Sequence, residues 1–241
     1  MDLACRSPVT RSAVVATATA YTLTDVIAKG RMTTIYAIGD IHGERALLDD
    51  LNRQIIEDAA TRPGPKLAVY LGDYIDRGPD SRGVVATLMG NPLPFSTVFL
   101  MGNHEELCVD SDRYHWFANG GRATEQSYGG AVSESHKAWM RNLSTSYRVG
   151  QWFFAHAGID PRTASAEQDR ESLLWIRRPF LDYRGDMPEG VVVVHGHTPT
   201  KTPDIRPNRI GLDTGACYGG ALTCAILTDK LERIMQTHHG S

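Results

Sequence analysis

The stretch YAIGDIHGERALLDDL, residues 36–51, sets an aspartate, a histidine and two glycines within five residues, directly behind an apolar run. TTIYAIGD (33–40) reads as a buried strand, and ERALLDDLNRQIIEDAA (44–60) repeats apolar residues at 47, 48, 51, 55 and 56, the spacing of one helix face. A strand, a tight turn and a helix carrying an oxyanion and an imidazole between them admit three readings: a helix cap, a salt bridge, or half of a metal site. Partners elsewhere in the chain must decide among them.

Working outward, KLAVYLGD (66–73) is a second strand, DSRGVVATLM (80–89) a short helix, and STVFLMGNHE (96–105) a third strand running into a polar turn. The order β-α-β-α-β implies parallel pairing with helices covering the sheet. Residues 104–148 are helical and polar in pattern, with Trp116, Tyr128 and Trp139 as anchors, and suit a cap beside the sheet. WFFAHAGID (152–160) and VVVVHGHT (191–198) resume strand character. NRIGLDTGA (208–216) and GALTCAILT (220–228) follow and are expected to pair as a hairpin. There is no internal repeat or low-complexity linker, so residues 32–241 are expected to form one α/β domain that includes the cap.

A formal net charge of −3 excludes the broad basic face that binding to nucleic-acid polymers requires. Cys5, Cys108, Cys217 and Cys224 form no CxxC pair, which points to reduced thiols in a cytoplasmic protein. No run reaches the roughly 18 apolar residues of a membrane span. In residues 1–31, Arg6 and Arg11 precede SAVVATATA, a faint imitation of an export signal whose threonines weaken it. The expectation there is a disordered extension, or a start upstream of the true one at Met32. Oligomeric state stays open.

Several strands end in Asp, His or Asn. The groups are Asp40 and His42 in GDIHG, Asp73 and Asp76 in GDYIDRG, Asn103 and His104 in GNHE, His156 in HAG, and His195 and His197 in HGHT. Open α/β sheets place ligands beyond the carboxyl ends of their strands. A donor set of carboxylate, imidazole and amide without thiolate suits manganese, iron or zinc, and suits magnesium less.

These five ordered motifs, spread over residues 33–228, resemble the metallophosphoesterase superfamily. The match is to the phosphoprotein phosphatase (calcineurin-like) branch with its small bacterial and phage members. The resemblance implies a four-layer αββα sandwich of two mixed β-sheets with a small helical cap. It implies two divalent metal ions, manganese first, with iron or zinc as alternatives. Asp40, His42 and Asp73 would hold the first metal; Asp73 would bridge to a second completed by Asn103, His156 and His197. Two cations about 3.5–4 Å apart need a shared anion, and a carboxylate has two oxygens to give. A hydroxide held by both metals would attack phosphorus in line, with His104 as general acid held by Asp76. Arg77 would fork two phosphate oxygens with Asn103 beside it, and Arg177, in LLWIRR, matches a second clamping arginine of bacterial relatives. Gly43 would let the helix begin without crowding the metal.

The resemblance implies a Ser/Thr protein phosphatase acting on phosphorylated protein or a small phosphoester. The alternative is a symmetrical dinucleoside polyphosphate hydrolase acting on diadenosine tetraphosphate. That sister family shows ARG and GNHD where this chain has Asp76-Arg77-Gly78 and Glu105, which favours the phosphatase. A noncatalytic module would have lost ligands, and none is missing here. Pro199 stands where GHxH relatives carry a further histidine. His195 is left as a support for the site or a core residue. His115, His136, His238, His239, Arg178 and Arg184 carry no motif. Residues 119–130 either approach the substrate or merely connect helices, and Tyr218 either approaches the site or packs a turn.

Overall fold

Strand β1 (Thr34–Ile38) is buried on both faces, as a central strand must be. In the computed structural model, which describes residues 33–240, Ile35 and Ala37 join one apolar cluster and Tyr36 and Ile38 another. The expectation for residues 1–31 lies outside the described residues. Helix α1 (Arg45–Thr61) lays Leu47, Leu48, Leu51 and Ile55 against the Tyr36 side; Ile56, expected on that face, is 40% exposed and Ala59 completes the stripe. Strand β2 (Lys66–Tyr70) and strand β3 (Ser96–Phe99) flank helix α2 (Ser81–Met89), whose first turn is capped by Asp80 accepting from the Gly83 N–H at 2.8 Å.

Four short helices follow: α3 (Asn103–Asp110), α4 (Arg113–Ala118), α5 (Gly121–Tyr128) and α6 (Glu134–Arg141). The third strand therefore stops at Phe99, and Asn103 and His104 ride on the first turn of α3. The second half runs β4 (Ser146–Val149), β5 (Trp152–Ala155), α7 (Arg170–Trp175), β6 (Val192–His195), β7 (Asp204–Arg206), β8 (Arg209–Gly211), β9 (Leu222–Leu227) and β10 (Leu231–Thr237).

The strands form two five-stranded mixed sheets, ordered β10-β9-β1-β2-β3 and β4-β5-β6-β8-β7. β1, β2 and β3 are parallel, as are β5, β6 and β8. Ile35, Ala37, Val69 and Leu71 of the first sheet meet Trp152, Phe154, Val194 and Leu212 of the second in the core between them. On the far side of the second sheet, Phe153, Ala155 and Val193 pack under Leu173 of α7 and Phe180. Helices, sheet, sheet and a thin helical cover make the four layers.

The expected hairpin between residues 208–216 and 220–228 does not form. Ile210 pairs with Val194 in the second sheet, whereas Ala225 pairs with Ala37 in the first. Both strands are buried on both faces and need a neighbour on each side, so the segment between them crosses from one sheet to the other. The hairpin partner of β9 is β10, an edge strand whose Glu232 and Arg233 face solvent and mask the strand pattern.

With Ile38, Tyr70 and Phe99 in register, Asp40, Asp73 and Asn103 leave the first sheet at one end. His156 and His197 leave the second sheet there too, joined by a Gly196 N–H donated to the His156 carbonyl at 2.8 Å. No described helix is long and apolar enough to cross a membrane. Cys108, Cys217 and Cys224 are free thiols.

Candidate metal centre

Asp73 stands at the centre of the strand ends. Its Oδ2 lies 3.3 Å from Nε2 of His42, and its Oδ1 lies 3.3 Å from Nε2 of His156. One carboxylate thus offers an oxygen to each of two histidines. Two groups of side chains close enough to hold an ion share it: His42, Asp73 and His104, and Asp73, His156 and His197. Asn103 Oδ1 faces His156 Nε2 at 2.9 Å and His197 Nδ1 at 2.8 Å, which completes the second group. His42 Nδ1 meets the Ile75 carbonyl at 2.8 Å and His156 Nδ1 the Leu71 carbonyl at 2.9 Å. Those contacts orient the rings and turn each Nε2 toward Asp73.

Asp40 flanks the centre outside both groups, with one oxygen bonded and one not. Its Oδ2 accepts the His197 N–H at 2.9 Å, while Oδ1 is buried without a hydrogen-bond partner. His197 Nε2 is buried without one as well. An orphaned buried polar atom costs on the order of 1–3 kcal/mol, and a cation would satisfy the Asp40 oxygen, while His197 turns its other nitrogen, Nδ1, to Asn103. The oxygen and nitrogen donors, with no thiolate among them, fit a hard or borderline divalent ion. The residues present therefore fit the metals expected from the sequence.

The backbone is strained here. Of seven non-glycine residues with positive φ among those described, five are His42, Asp73, Asp76, Arg77 and His197. Such conformations cost about 1–3 kcal/mol each and persist where a site over-determines them. Gly43 has a reason other than the metal: a Cβ there would stand 2.9 Å from the Gly78 carbonyl, so the two motif loops cross at that point.

Electrostatics set the protonation. Burial raises the Asp73 carboxyl, but His156 and His104 outweigh it and hold the group well below the usual range. Burial lowers His156, yet Asp73 and Asp40 pull it up to about 9. Asp40, buried beside Asp213 and Asp73, is pushed well above the ordinary carboxylate value. Burial and the neighbouring His156 take His197 down to about 2. A histidine must shed its proton to ligate, so metal would displace the proton that Asp73 holds on His156.

Beside the centre, His104 Nδ1 lies 2.7 Å from Asp76 Oδ2, and its Nε2 lies 3.9 Å from Asp73 Oδ2. Burial lowers the imidazole against the pull of both aspartates. Arg77 Nη1 sits 2.5 Å from His42 Nε2, and its guanidinium lies 5.7 Å from the centre of the Tyr218 ring. A metal on His42 and this arginine contact exclude each other, since both claim one lone pair.

Two residues stand apart from the cluster, His195, left open between a support and a core residue, and the predicted clamp Arg177. His195 ends β6 with its ring against Phe180, centroids 5.0 Å apart, and burial takes it down to about 4. It is a core residue. Arg177 is exposed past the end of α7 and gives the cluster no hydrogen bond, although its charge helps depress His197. Of the residues left open, Tyr218 is 64% exposed at the Arg77 side, and Gly120 accepts the Arg77 N–H at 3.4 Å, so residues 119–130 reach the site.

The calcineurin-like phosphoesterase family matches residues 33–229. The chain belongs to that family. Serine/threonine-protein phosphatase 1 of Salmonella typhimurium is 31% identical over 205 residues, 79% of this chain and 90% of the relative. The asymmetrical bis(5'-nucleosyl)-tetraphosphatase PrpE of Anoxybacillus flavithermus is 29% identical, over 77% of this chain and 87% of its own. A crystal structure of a proposed diadenosine tetraphosphatase superposes with a TM-score of 0.66 at 23% identity, covering 86% of this chain and 95% of that one. The protein is thus a metallophosphoesterase, a hydrolase of phosphate esters, and its family implies divalent metal ions.

The motifs do not mark every residue that builds this site. Glu105 is fully buried and accepts from the N–H groups of Asp73 and Gly102 through Oε2, at 2.8 and 2.9 Å, and of Tyr74 and Ile75 through Oε1, at 2.8 and 3.3 Å. Burial and the Asp73 charge push it to about 7 against those donors. It is the strut that ties GDYID to GNHE, a role that its place in the motif does not reveal. Asp213 is buried beside Asp40 because the crossing between sheets passes there. Trp116 and Thr124 reach Asp76 from the helices, and no residue type in 104–148 announces that contact.

Proposed function

We propose that this metallophosphoesterase is a phosphomonoester hydrolase acting on phosphoserine or phosphothreonine in proteins. The observation that carries the reading is Asp73, one carboxylate set between two histidines with an oxygen toward each. On this reading Asp40, His42 and Asp73 hold one metal, and Asp73, Asn103, His156 and His197 hold the second. Manganese suits the mixed oxygen and imidazole donors. When bound, the ions supply Lewis acidity and make water reactive near neutral pH.

The remaining roles fall to the chain. Asp76 takes the Nδ1 side of His104 and leaves Nε2 facing the centre, where a proton passes to the leaving oxygen as its bond to phosphorus breaks. Arg77 turns from His42 to a phosphate oxygen pair, and the Tyr218 ring beneath its guanidinium limits where it can swing. Arg177 serves at the exposed rim.

The Salmonella relative and the Asp76-Arg77-Gly78 motif support the protein phosphatase reading. Glu105 supports it less than the motif suggests, because its carboxylate faces backbone N–H groups and not the substrate side. The tetraphosphatase relatives support hydrolysis of dinucleoside tetraphosphates as a second reading. Chelation by EDTA and readdition of manganese, followed with p-nitrophenyl phosphate, tests the metal; activity indifferent to both overturns it. The kcat/KM ratio for a phosphothreonine peptide against diadenosine tetraphosphate tests the substrate. A dinucleotide preference of orders of magnitude replaces the first reading with the second.

A further inference from the structure

Asp76 is fully buried, and besides His104 its carboxylate is held by two residues of helices α4 and α5. Trp116, on α4, donates its indole N–H to Oδ2 at 2.9 Å and lies 3.1 Å from Oδ1. Thr124, on α5, donates its hydroxyl to Oδ1 at 2.6 Å. The directions of the remaining bonds follow. The Thr124 oxygen accepts from the Asp76 N–H at 2.9 Å and from the Ser81 hydroxyl at 3.0 Å, and Ser81 in turn accepts from the same N–H at 3.0 Å. Trp116 and Thr124 are themselves buried. Gly121 lets the indole lie flat against α5, since a Cβ there would stand 2.5 Å from the ring.

These bonds leave Asp76 little freedom. Its carboxylate plane is set by a donor on each oxygen from the helices, and the lone pair left on Oδ2 points at His104 Nδ1. The backbone of Asp76, at φ 72, is held at the same point by Thr124 and Ser81. Resting on the acid role proposed above for His104, we infer that Trp116 and Thr124 are positioning residues for proton donation, so that the helical segment 113–128 is part of the acid machinery and more than a cover. Neither touches the substrate or a metal ligand; each acts on His104 through Asp76.

A proton donor matters in proportion to how poor the leaving group is. The step tested is transfer of the His104 Nε2 proton to the ester oxygen while the P–O bond breaks, so phenyl phosphate should depend on it and p-nitrophenyl phosphate much less. The variants are Trp116→Phe, which keeps the ring and removes the N–H, Thr124→Val, which keeps the shape and removes the hydroxyl, and Thr124→Ser, which restores it. With manganese-loaded full-length protein, Trp116→Phe and Thr124→Val are expected to lower kcat for phenyl phosphate by about 10–100-fold, a part of the roughly 10²–10⁴-fold that the acid itself supplies. For p-nitrophenyl phosphate the loss should stay below about threefold, the same principle making acid assistance minor there. Manganese content should be unchanged, and Thr124→Ser should recover most of the phenyl phosphate rate. In a His104→Asn background either substitution should add little, because residues acting in one chain are not additive.

Equal losses for the two esters, or full additivity with His104→Asn, would show a merely structural contact and overturn the inference. No loss in either variant overturns it as well. If His104→Asn is itself indifferent to the leaving group, the acid assignment fails and takes the inference with it; a sensitive His104→Asn beside an insensitive Trp116→Phe and Thr124→Val sinks the inference alone.

Discussion

Gly196→Ala should cost this protein its metal without touching a ligand. A Cβ built on Gly196 stands 1.9 Å from Asp40 Oδ1 and 3.0 Å from its Cγ. Ordinary contact begins at 3.4 Å, so the oxygen must retreat by about 1.5 Å. Metal ligands tolerate about 0.2 Å, and Oδ1 is the buried oxygen that lacks any hydrogen bond and so, on the reading proposed above, the one left to take the ion. The shift also pulls Oδ2 from the His197 N–H, so both metal groups loosen. Disturbing residues that support metal ligands costs roughly 10–100-fold in affinity, and loss of a ligand is expected to reach at least that. Turnover at limiting manganese should fall at least about 100-fold, the penalty of a 1 Å misplacement. Overpacking adds about 1–3 kcal/mol of destabilisation, read as a lower melting temperature in EDTA. The assay is a manganese titration of p-nitrophenyl phosphate hydrolysis with metal content by mass spectrometry. Gly90→Ala is the control, because its Cβ meets nothing nearer than 3.4 Å at a helix end with φ −73. Wild-type manganese affinity and turnover in Gly196→Ala would refute the placement of Asp40.

His197→Ala should lose metal while His195→Leu keeps it, since His195 packs on Phe180; equal depletion measured by mass spectrometry would contradict that division. Arg77→Ala should lower kcat/KM by about 100–1000-fold, the cost of one transition-state donor. Its manganese affinity should be unchanged or tighter, because the guanidinium no longer claims His42 Nε2; weakened binding in a calorimetric titration would argue against the exchange. Asp58 ties Tyr36, Arg62 and Arg233 together. Burial raises its carboxyl, but the bonds from Arg62 and Tyr36 and the charges of Arg62 and Arg233 hold it below the ordinary value. The folded pKa lies below the unfolded one, so this stability is complete above about pH 4 and is lost as pH falls through the folded value. Asp58→Asn should therefore melt about 2–4 °C lower at pH 7, the scale of ~1 kcal/mol in a domain of this size, with the gap closing in acid. A gap that persists at pH 3 would sink the charge argument.

Strand ends were legible because each motif glycine follows an apolar run, so Asp40, Asp73 and Asn103 could be placed at one sheet edge before any pairing was known. The division into two sheets came from the family resemblance. Local pattern failed at 208–228, where two buried strands and a glycine-rich link imitate a hairpin although sheet membership is decided by long-range packing. The choice of His197 over His195 likewise came from the resemblance and not from local pattern. Simple alternation places both on one face, and it is the positive φ of His197, at 67, that turns its ring to the other side. Trp116 and Thr124 could not be read because short polar helices carry little periodic signal, and which donor faces inward depends on how they dock.

The most direct test is anomalous diffraction from crystals grown with excess manganese. Two peaks are predicted, both bonded to Asp73, one flanked by Asp40 and His42 and the other by Asn103, His156 and His197. One peak alone, or an Asp73 that touches neither, contradicts the account.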